Sequence, residues 1–200
     1  MDLKKLIIFA KQPIQGQVKT RLAKTLGDKT TLDIYKKLLH ITEDITSKLN
    51  ISKTVYWDQI LNQTNLYFKN GYTFKEQSQG DLGKKMKDAF REEFDESFNK
   101  ILIIGTDCPY LTERIFEDAY HALENSDIVI GPAKDGGYYL LGMKDFKASL
   151  FEGIPWSTEL VFNLTIEKIK ELNLTFSVLP ELNDIDTEKD WLEWEEKINQ

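Results

Sequence analysis

Seven short apolar runs rich in β-branched and aromatic residues constrain this chain more than any other feature. They fall at residues 6–9, 54–57, 72–75, 101–105, 128–131, 138–142 and 176–179. Most are separated by longer segments whose apolar residues recur every three or four positions. Leu32, Tyr35, Leu38, Leu39, Thr42, Ile45 and Leu49 form one such helical face, and Leu82, Met86, Phe90, Phe94 and Phe98 form another. Ile115, Phe116, Ala119, Ala122 and Leu123 form a third, and Val161, Leu164, Thr165, Lys168, Ile169 and Leu172 a fourth with a polar interruption. Strands alternating with helices predict an α/β chain: a mostly parallel, mixed sheet covered on both faces, a three-layer α/β/α sandwich. No repeat, low-complexity tract or linker divides the sequence, so residues 1–200 are expected to form one domain.

Composition narrows the function classes. Lys and Arg number 26 against 33 Asp and Glu, a net charge of −7, the wrong sign for a polyanionic partner such as nucleic acid or an anionic membrane. A small phosphorylated ligand is not excluded, because a few clustered cations reverse the field locally. Cys108 is the single cysteine, so no internal disulfide forms, and no Cys/His group has zinc spacing; a reducing, cytoplasmic location is expected. The start, Met1-Asp2-Leu3-Lys4-Lys5 and then apolar residues 6–10, imitates a signal peptide, but the run ends at Lys11 and reads as a strand. No stretch approaches the ~18 apolar residues of a membrane span.

Glycines and prolines gather in loops just after the predicted strands, where open α/β sheets bind ligands. The loop after the first strand carries Lys11, Gly16, Lys19 and Arg21, the mix of cations and free backbone N–H groups that a di- or triphosphate needs. A solvated basic loop is the plainer reading. It has neither the Walker nor the Rossmann glycine pattern. The fourth strand ends in Gly105-Thr106-Asp107-Cys108-Pro109, where Asp107 is half of a Mg²⁺ site or simply a turn residue. Cys108 lacks a loop histidine to activate it, since His40 and His121 both read as helix residues. Residues 131–142 place Lys134, Asp135, Gly136 and Gly137 in a hairpin turn before an aromatic strand. Pro155-Trp156-Ser157-Thr158-Glu159 is expected to open a helix with Ser157 or Thr158 as its N-cap. Thr187 and Asp190 form a capping box. It leaves Asp184 and Asp186 unexplained, on one side of an extended segment, as the second half of a cation site requires.

Together, Phe9-Ala-Lys-x-Pro-x-x-Gly-x-Val-Lys-Thr-Arg-Leu22, Gly105-Thr-Asp-Cys-Pro109, residues 131–142, Trp156-Ser-Thr158 and Asp184-Ile-Asp-Thr187 resemble one family. It is the bacterial nucleotide-diphospho-sugar transferase-like (GT-A fold) group carried under the name of glycosyltransferases, related to 2-phospho-lactate and molybdenum-cofactor guanylyltransferases. The resemblance implies a nucleotide-binding first half and an acceptor-binding second half. Lys11, Lys19 and Arg21 would hold phosphates, with Ala10, Gly16, Thr106 and the segment Gln77, Gly80, Gly83 around the nucleotide. Asp107 with Asp186, or less favourably Asp184, would bind Mg²⁺ or Mn²⁺. Lys19, Arg21, Asp107 and Asp135 would be catalytic, and Gly136, Gly137, Trp156, Ser157 and Thr158 would face the acceptor.

The leading expectation is a metal-dependent, glycosyltransferase-like enzyme using a nucleotide-sugar. The alternatives are a guanylyltransferase-like enzyme moving NMP from an NTP to a small phosphorylated acceptor, and a non-catalytic nucleotide-binding module. Expected partners are the nucleotide donor and a small-molecule acceptor, with no nucleic acid or membrane span and with a homodimer left open. Trp191 and Trp194 are expected to pack in the core.

Overall fold

The computed structural model describes residues 3–61 and 66–199, so Met1 and Asp2 lie outside the described residues. In chain order the elements are β1 (Lys4–Ala10), α1 (Thr20–Ser47), β2 (Ser52–Trp57), β3 (Tyr72–Glu76), α2 (Leu82–Asp95), β4 (Lys100–Ile104) and α3 (Glu113–Asn125). They continue with β5 (Ile128–Pro132), β6 (Tyr138–Met143), a 3₁₀ turn at Ala148–Phe151, α4 (Val161–Glu171), β7 (Phe176–Val178) and α5 (Glu188–Ile198). All seven strands fall where the β-branched runs predict them.

The sheet runs β3-β2-β1-β4-β6-β5-β7, parallel throughout except that β6 is antiparallel to both β4 and β5. β1 and β4 are apolar on both faces, as central strands of a covered sheet must be. Alternation sorts their side chains: Leu6, Ile8, Leu102 and Ile104 meet Tyr35 and Leu39 of α1 and Phe116 and Tyr120 of α3. Ile7, Ile101 and Ile103 meet Met86 and Phe90 of α2 and Ile169 of α4. Trp191 and Trp194, both buried, clamp α5 with Ile185 onto the outer face of α1 at Leu22, Ile34 and Leu38.

Reversing β6 has a consequence for the site. The carboxyl ends of β1, β3, β4 and β7 and the β5–β6 hairpin turn all open at one edge of the sheet, so the polar loops face one another. The hairpin is closed by Ala133 N–H to Gly137 O at 3.1 Å and Gly136 N–H to Ala133 O at 3.1 Å. The segment after β7 is tied beside it by Leu182 N–H to Pro132 O (3.1 Å) and Lys134 N–H to Leu182 O (3.0 Å).

One local expectation fails. Helix α4 begins only at Val161, and neither Ser157 nor Thr158 caps it. Ser157 lies in the left-handed region (φ 65°), and Thr158 Oγ1 donates to Pro155 O at 2.8 Å. Part of the helix start is satisfied by the hairpin turn packed beside it, through Phe162 N–H to Gly136 O at 2.8 Å. Thr187 and Asp190 form the capping box that the sequence predicts, and Asp81 caps α2 by accepting from Lys84 N–H at 2.8 Å.

Candidate active site

At the open edge lies a cleft of about 980 Å³, floored by the ends of β1 and β4. Its first wall is the loop leaving Ala10. Tyr35, on the apolar stripe of α1, pins that loop: its hydroxyl accepts from Lys11 N–H at 2.8 Å and donates to Lys11 O at 2.9 Å. Burial and the charge of Asp107 push this phenol far above its ordinary value, so it stays a neutral clamp. Sequence reasoning read Tyr35 only as core; the signal was a polar tip on a buried stripe, which must find a partner.

The loop ends at Lys19, which caps α1 in the left-handed conformation (φ 48°, ψ 47°) with its side chain only 6% exposed. Its ammonium lies 2.9 Å from Asp107 Oδ2 and 2.9 Å from Asp186 Oδ1. Burial alone would lower the Lys19 pKa; the two carboxylates overcome it and hold it at about 12. Arg21, largely exposed, reaches Asp186 Oδ2 at 3.3 Å. The two acids that the sequence pairs across 79 positions are thus brought onto one cation. Ile185 N–H donates to Asp107 O at 2.9 Å, fixing the two strand-end segments together.

Asp184 stands behind this pair. Its Oδ1 is buried without a hydrogen-bond partner among the described residues. Burial, followed by the charge of Asp107, pushes its pKa up to about 7 against the pull of Lys19. Asp107, Asp184 and Asp186 offer hard oxygen donors, which suits Mg²⁺ or Mn²⁺. No three His, Cys, Asp or Glu side chains among the described residues form a ready cage. A divalent cation here would take two carboxylates and complete its shell with phosphate oxygens and water, the usual habit of Mg²⁺. Cys108 is buried, its thiol pushed up by that burial and then by Asp184, which leaves it unreactive.

The second wall is α2 and the segment before it. Gln77 is buried, and its carboxamide nitrogen donates to Ala10 O (3.2 Å) and Tyr56 O (2.9 Å), bridging the ends of β1 and β2. Its oxygen accepts from Lys85 Nζ at 3.3 Å. Lys85 lines the cleft and was not singled out in the sequence, where Lys84-Lys85 looks like ordinary helix surface.

The third wall comes from the hairpin and the loop before α4. Asp135, Gly137, Tyr138, Trp156, Ser157 and Thr158 line it. Asp135 Oδ1 accepts from Gly137 N–H at 2.8 Å, holding the turn. Gly16, Gly80, Gly83 and Gly136 do not line the cleft. A Cβ on Gly83 would come 1.9 Å from the Trp156 indole nitrogen, and one on Gly136 2.1 Å from Glu159 O. Gly16 and Gly80 serve left-handed turns beside Asp28 and Lys84.

Comparison with known proteins matches residues 38–158 to a family described as "Uncharacterized protein conserved in bacteria (DUF2064)". The chain belongs to the DUF2064 family. This DUF2064 protein is 32% identical over 142 residues to 2-phospho-L-lactate guanylyltransferase of Methanocaldococcus vulcanius, covering 70% of the chain and 61% of that relative. It is 28% identical over 181 residues to the guanylyltransferase of Methanocaldococcus jannaschii, covering 88% and 74%. Among solved structures, a protein of Desulfovibrio desulfuricans G20, provisionally titled a nucleotide-diphospho-sugar transferase, superposes with a TM-score of 0.87 at 29% identity, over 94% of this chain and 84% of that one. The 4-diphosphocytidyl-2C-methyl-D-erythritol synthase of Anaerococcus prevotii superposes with a TM-score of 0.67 over 100% and 99% of the two chains at 14% identity, a likeness of fold alone. Among the described residues no helix is long and apolar enough to cross a membrane.

Proposed function

We propose that this protein is a nucleotidyltransferase that moves NMP from an NTP, GTP first among them, to a small phosphorylated acceptor. The observation that carries the reading is Lys19, shared at 2.9 Å by Asp107 and Asp186 at the end of the loop that also bears Lys11 and Arg21. Such an array pairs cations for phosphates with carboxylates for a divalent ion at the carboxyl edge of the sheet. The relatives named guanylyltransferases support NMP transfer over the glycosyl transfer that the sequence put first.

In this reading, Lys11 and Arg21 draw in the phosphate tail, and Tyr35 keeps the loop root fixed so that little reorganisation accompanies binding. Lys19 neutralises charge on the departing phosphates, keeping its proton because its pKa stands near 12. Asp107 and Asp186, with Asp184 as the reserve donor, would hold Mg²⁺ or Mn²⁺. When bound, that ion supplies Lewis-acid neutralisation of phosphate oxygens. Trp156, Ser157, Thr158, Asp135 and Gly137 bound the space left for the acceptor.

The test is titration calorimetry with GTP, CTP, ATP and UTP, with and without Mg²⁺, followed by a product assay. The expected result is metal-assisted binding of one NTP and release of pyrophosphate with a phosphorylated acceptor such as 2-phospho-L-lactate. Turnover of a sugar nucleotide to a nucleoside diphosphate, with no pyrophosphate from any NTP, overturns it.

A further inference from the structure

The loop cations do not exhaust the positive charge facing the cleft. Lys85 projects from the first turns of α2, on the sheet face opposite α1, so it approaches the ligand space from the layer facing Lys11 and Lys19. Its partner is neutral: Gln77 Oε1 at 3.3 Å. No described carboxylate pairs with it, whereas Lys84 on the same turn is spent on Asp88. A half-buried ammonium without a counter-charge is costly unless a ligand supplies one.

Gln77 decides where that ammonium stands. Both hydrogens of its carboxamide nitrogen are committed, to Ala10 O and Tyr56 O. The amide orientation is therefore fixed by the two strand ends, and only its oxygen is left to hold Lys85. Ala10 is the residue from which the cation loop departs. Lys85 is thus moored at the root of that loop, while Lys19 and Arg21 stand at its far end on Asp186. A triphosphate stretched along the loop puts its terminal phosphates at the far end and its nucleoside-proximal phosphate at the root.

We infer that Lys85 is a catalytic residue that contacts the α-phosphate of the nucleotide, and that Gln77 is its positioning residue. The inference rests on the nucleotidyl-transfer reading and extends it. In that step an acceptor phosphate oxygen forms a bond to Pα while the bond from Pα to the bridging oxygen breaks, and pyrophosphate leaves with the electron pair. Lys85 transfers no proton; it neutralises the non-bridging oxygens of Pα from the α2 side, opposite Asp107 and Asp186.

A nucleotide ladder locates the contact. Guanosine, GMP, GDP and GTP are titrated calorimetrically into wild type, Lys85→Met, Lys85→Arg and Lys84→Met. The expected result is a loss of about tenfold in affinity for GMP, GDP and GTP alike in Lys85→Met, no change for guanosine, and wild-type values for Lys84→Met. Lys85→Arg recovers most of the loss, and Gln77→Leu reproduces the same phosphate-dependent pattern more weakly. Unchanged GMP affinity in Lys85→Met, a loss that begins only at GDP or GTP, or a loss that includes guanosine overturns the inference. If wild type binds another base, the same ladder is run on that base; if it binds no nucleotide, the function reading itself fails.

Discussion

At the scale of the residue, Lys19 is the side chain on which most depends. Its ammonium and a divalent cation compete for the same oxygens of Asp107 and Asp186, each now 2.9 Å from Nζ. Lys19→Met should therefore act in opposite directions on two ligands. Affinity for an NTP should fall about tenfold or more, from the loss of a charge-assisted contact. Affinity for Mn²⁺ alone, read by the free-ion signal in electron paramagnetic resonance, should rise, because two carboxylates are left without their cation. A fall in both would mean that Lys19 organises the acids rather than occupying their cation position. Gly83 makes a different point. The sequence places it around the nucleotide by resemblance, and the structure puts it against Trp156, with a Cβ only 1.9 Å from the indole nitrogen. Gly83→Ala should shift Trp156 and with it the intrinsic fluorescence, at a stability cost of about 1–3 kcal/mol in denaturant unfolding.

At the scale of the element, the seven strands were legible because β-branched runs of four or five residues have few other stable uses. The start of α4 was not. Ser157 and Thr158 carry the chemistry of a cap, yet neither side chain caps the helix, and the first-turn N–H of Phe162 is met by Gly136 O, a tertiary partner more than 20 positions away in sequence. Lys85 was hidden for the same reason: what sets it apart from Lys84 is a contact to Gln77, eight residues upstream and outside the helix. Asp127 shows how elements are joined at the sheet margin. It stands before β5 and accepts from Thr175 N–H at 2.8 Å and Thr175 Oγ1 at 2.6 Å, just before β7, while Lys144 after β6 pairs with it at 3.1 Å. The Thr175 hydroxyl is the chief cause that lowers its pKa from 3.8 to about 2. A folded-state pKa below the unfolded one gives stability that is present above about pH 4 and lost as pH falls towards 2. Asp127→Ala should thus cost about 1–2 kcal/mol at pH 7 and little near pH 2, as measured by urea unfolding across that range.

At the scale of the molecule, an excess of 33 acids over 26 bases argues against a polyanionic partner and leaves room for a small phosphorylated ligand, and the structure turns that argument into one about placement. Many acids are spent away from the cleft, and one cluster lies on α2 and at its end. Glu93, fully buried, accepts from Tyr56 at 2.9 Å and pairs with Lys5 at 3.0 Å and Lys75 at 3.2 Å, while Lys75 also meets Glu92 and Glu96. One carboxylate thereby ties β1, β2 and β3 to the helix that carries Gly83 and Lys85. Removing it alone strands the Lys5 ammonium, 5% exposed, without a counter-ion. Glu93→Leu should cost about 3–5 kcal/mol, because it leaves the buried Lys5 ammonium unpaired, and Lys5→Met alone less, because Lys75 and Tyr56 stay on Glu93. The double variant Lys5→Met/Glu93→Leu should recover most of that loss. Both charges go together, Tyr56 keeps Glu92 at 3.1 Å, and Lys75 keeps Glu92 and Glu96. A double-mutant cycle in denaturant decides: additive single losses would mean that the ions act independently, whereas recovery shows that α2 is held by a compensated pair rather than by net charge attraction.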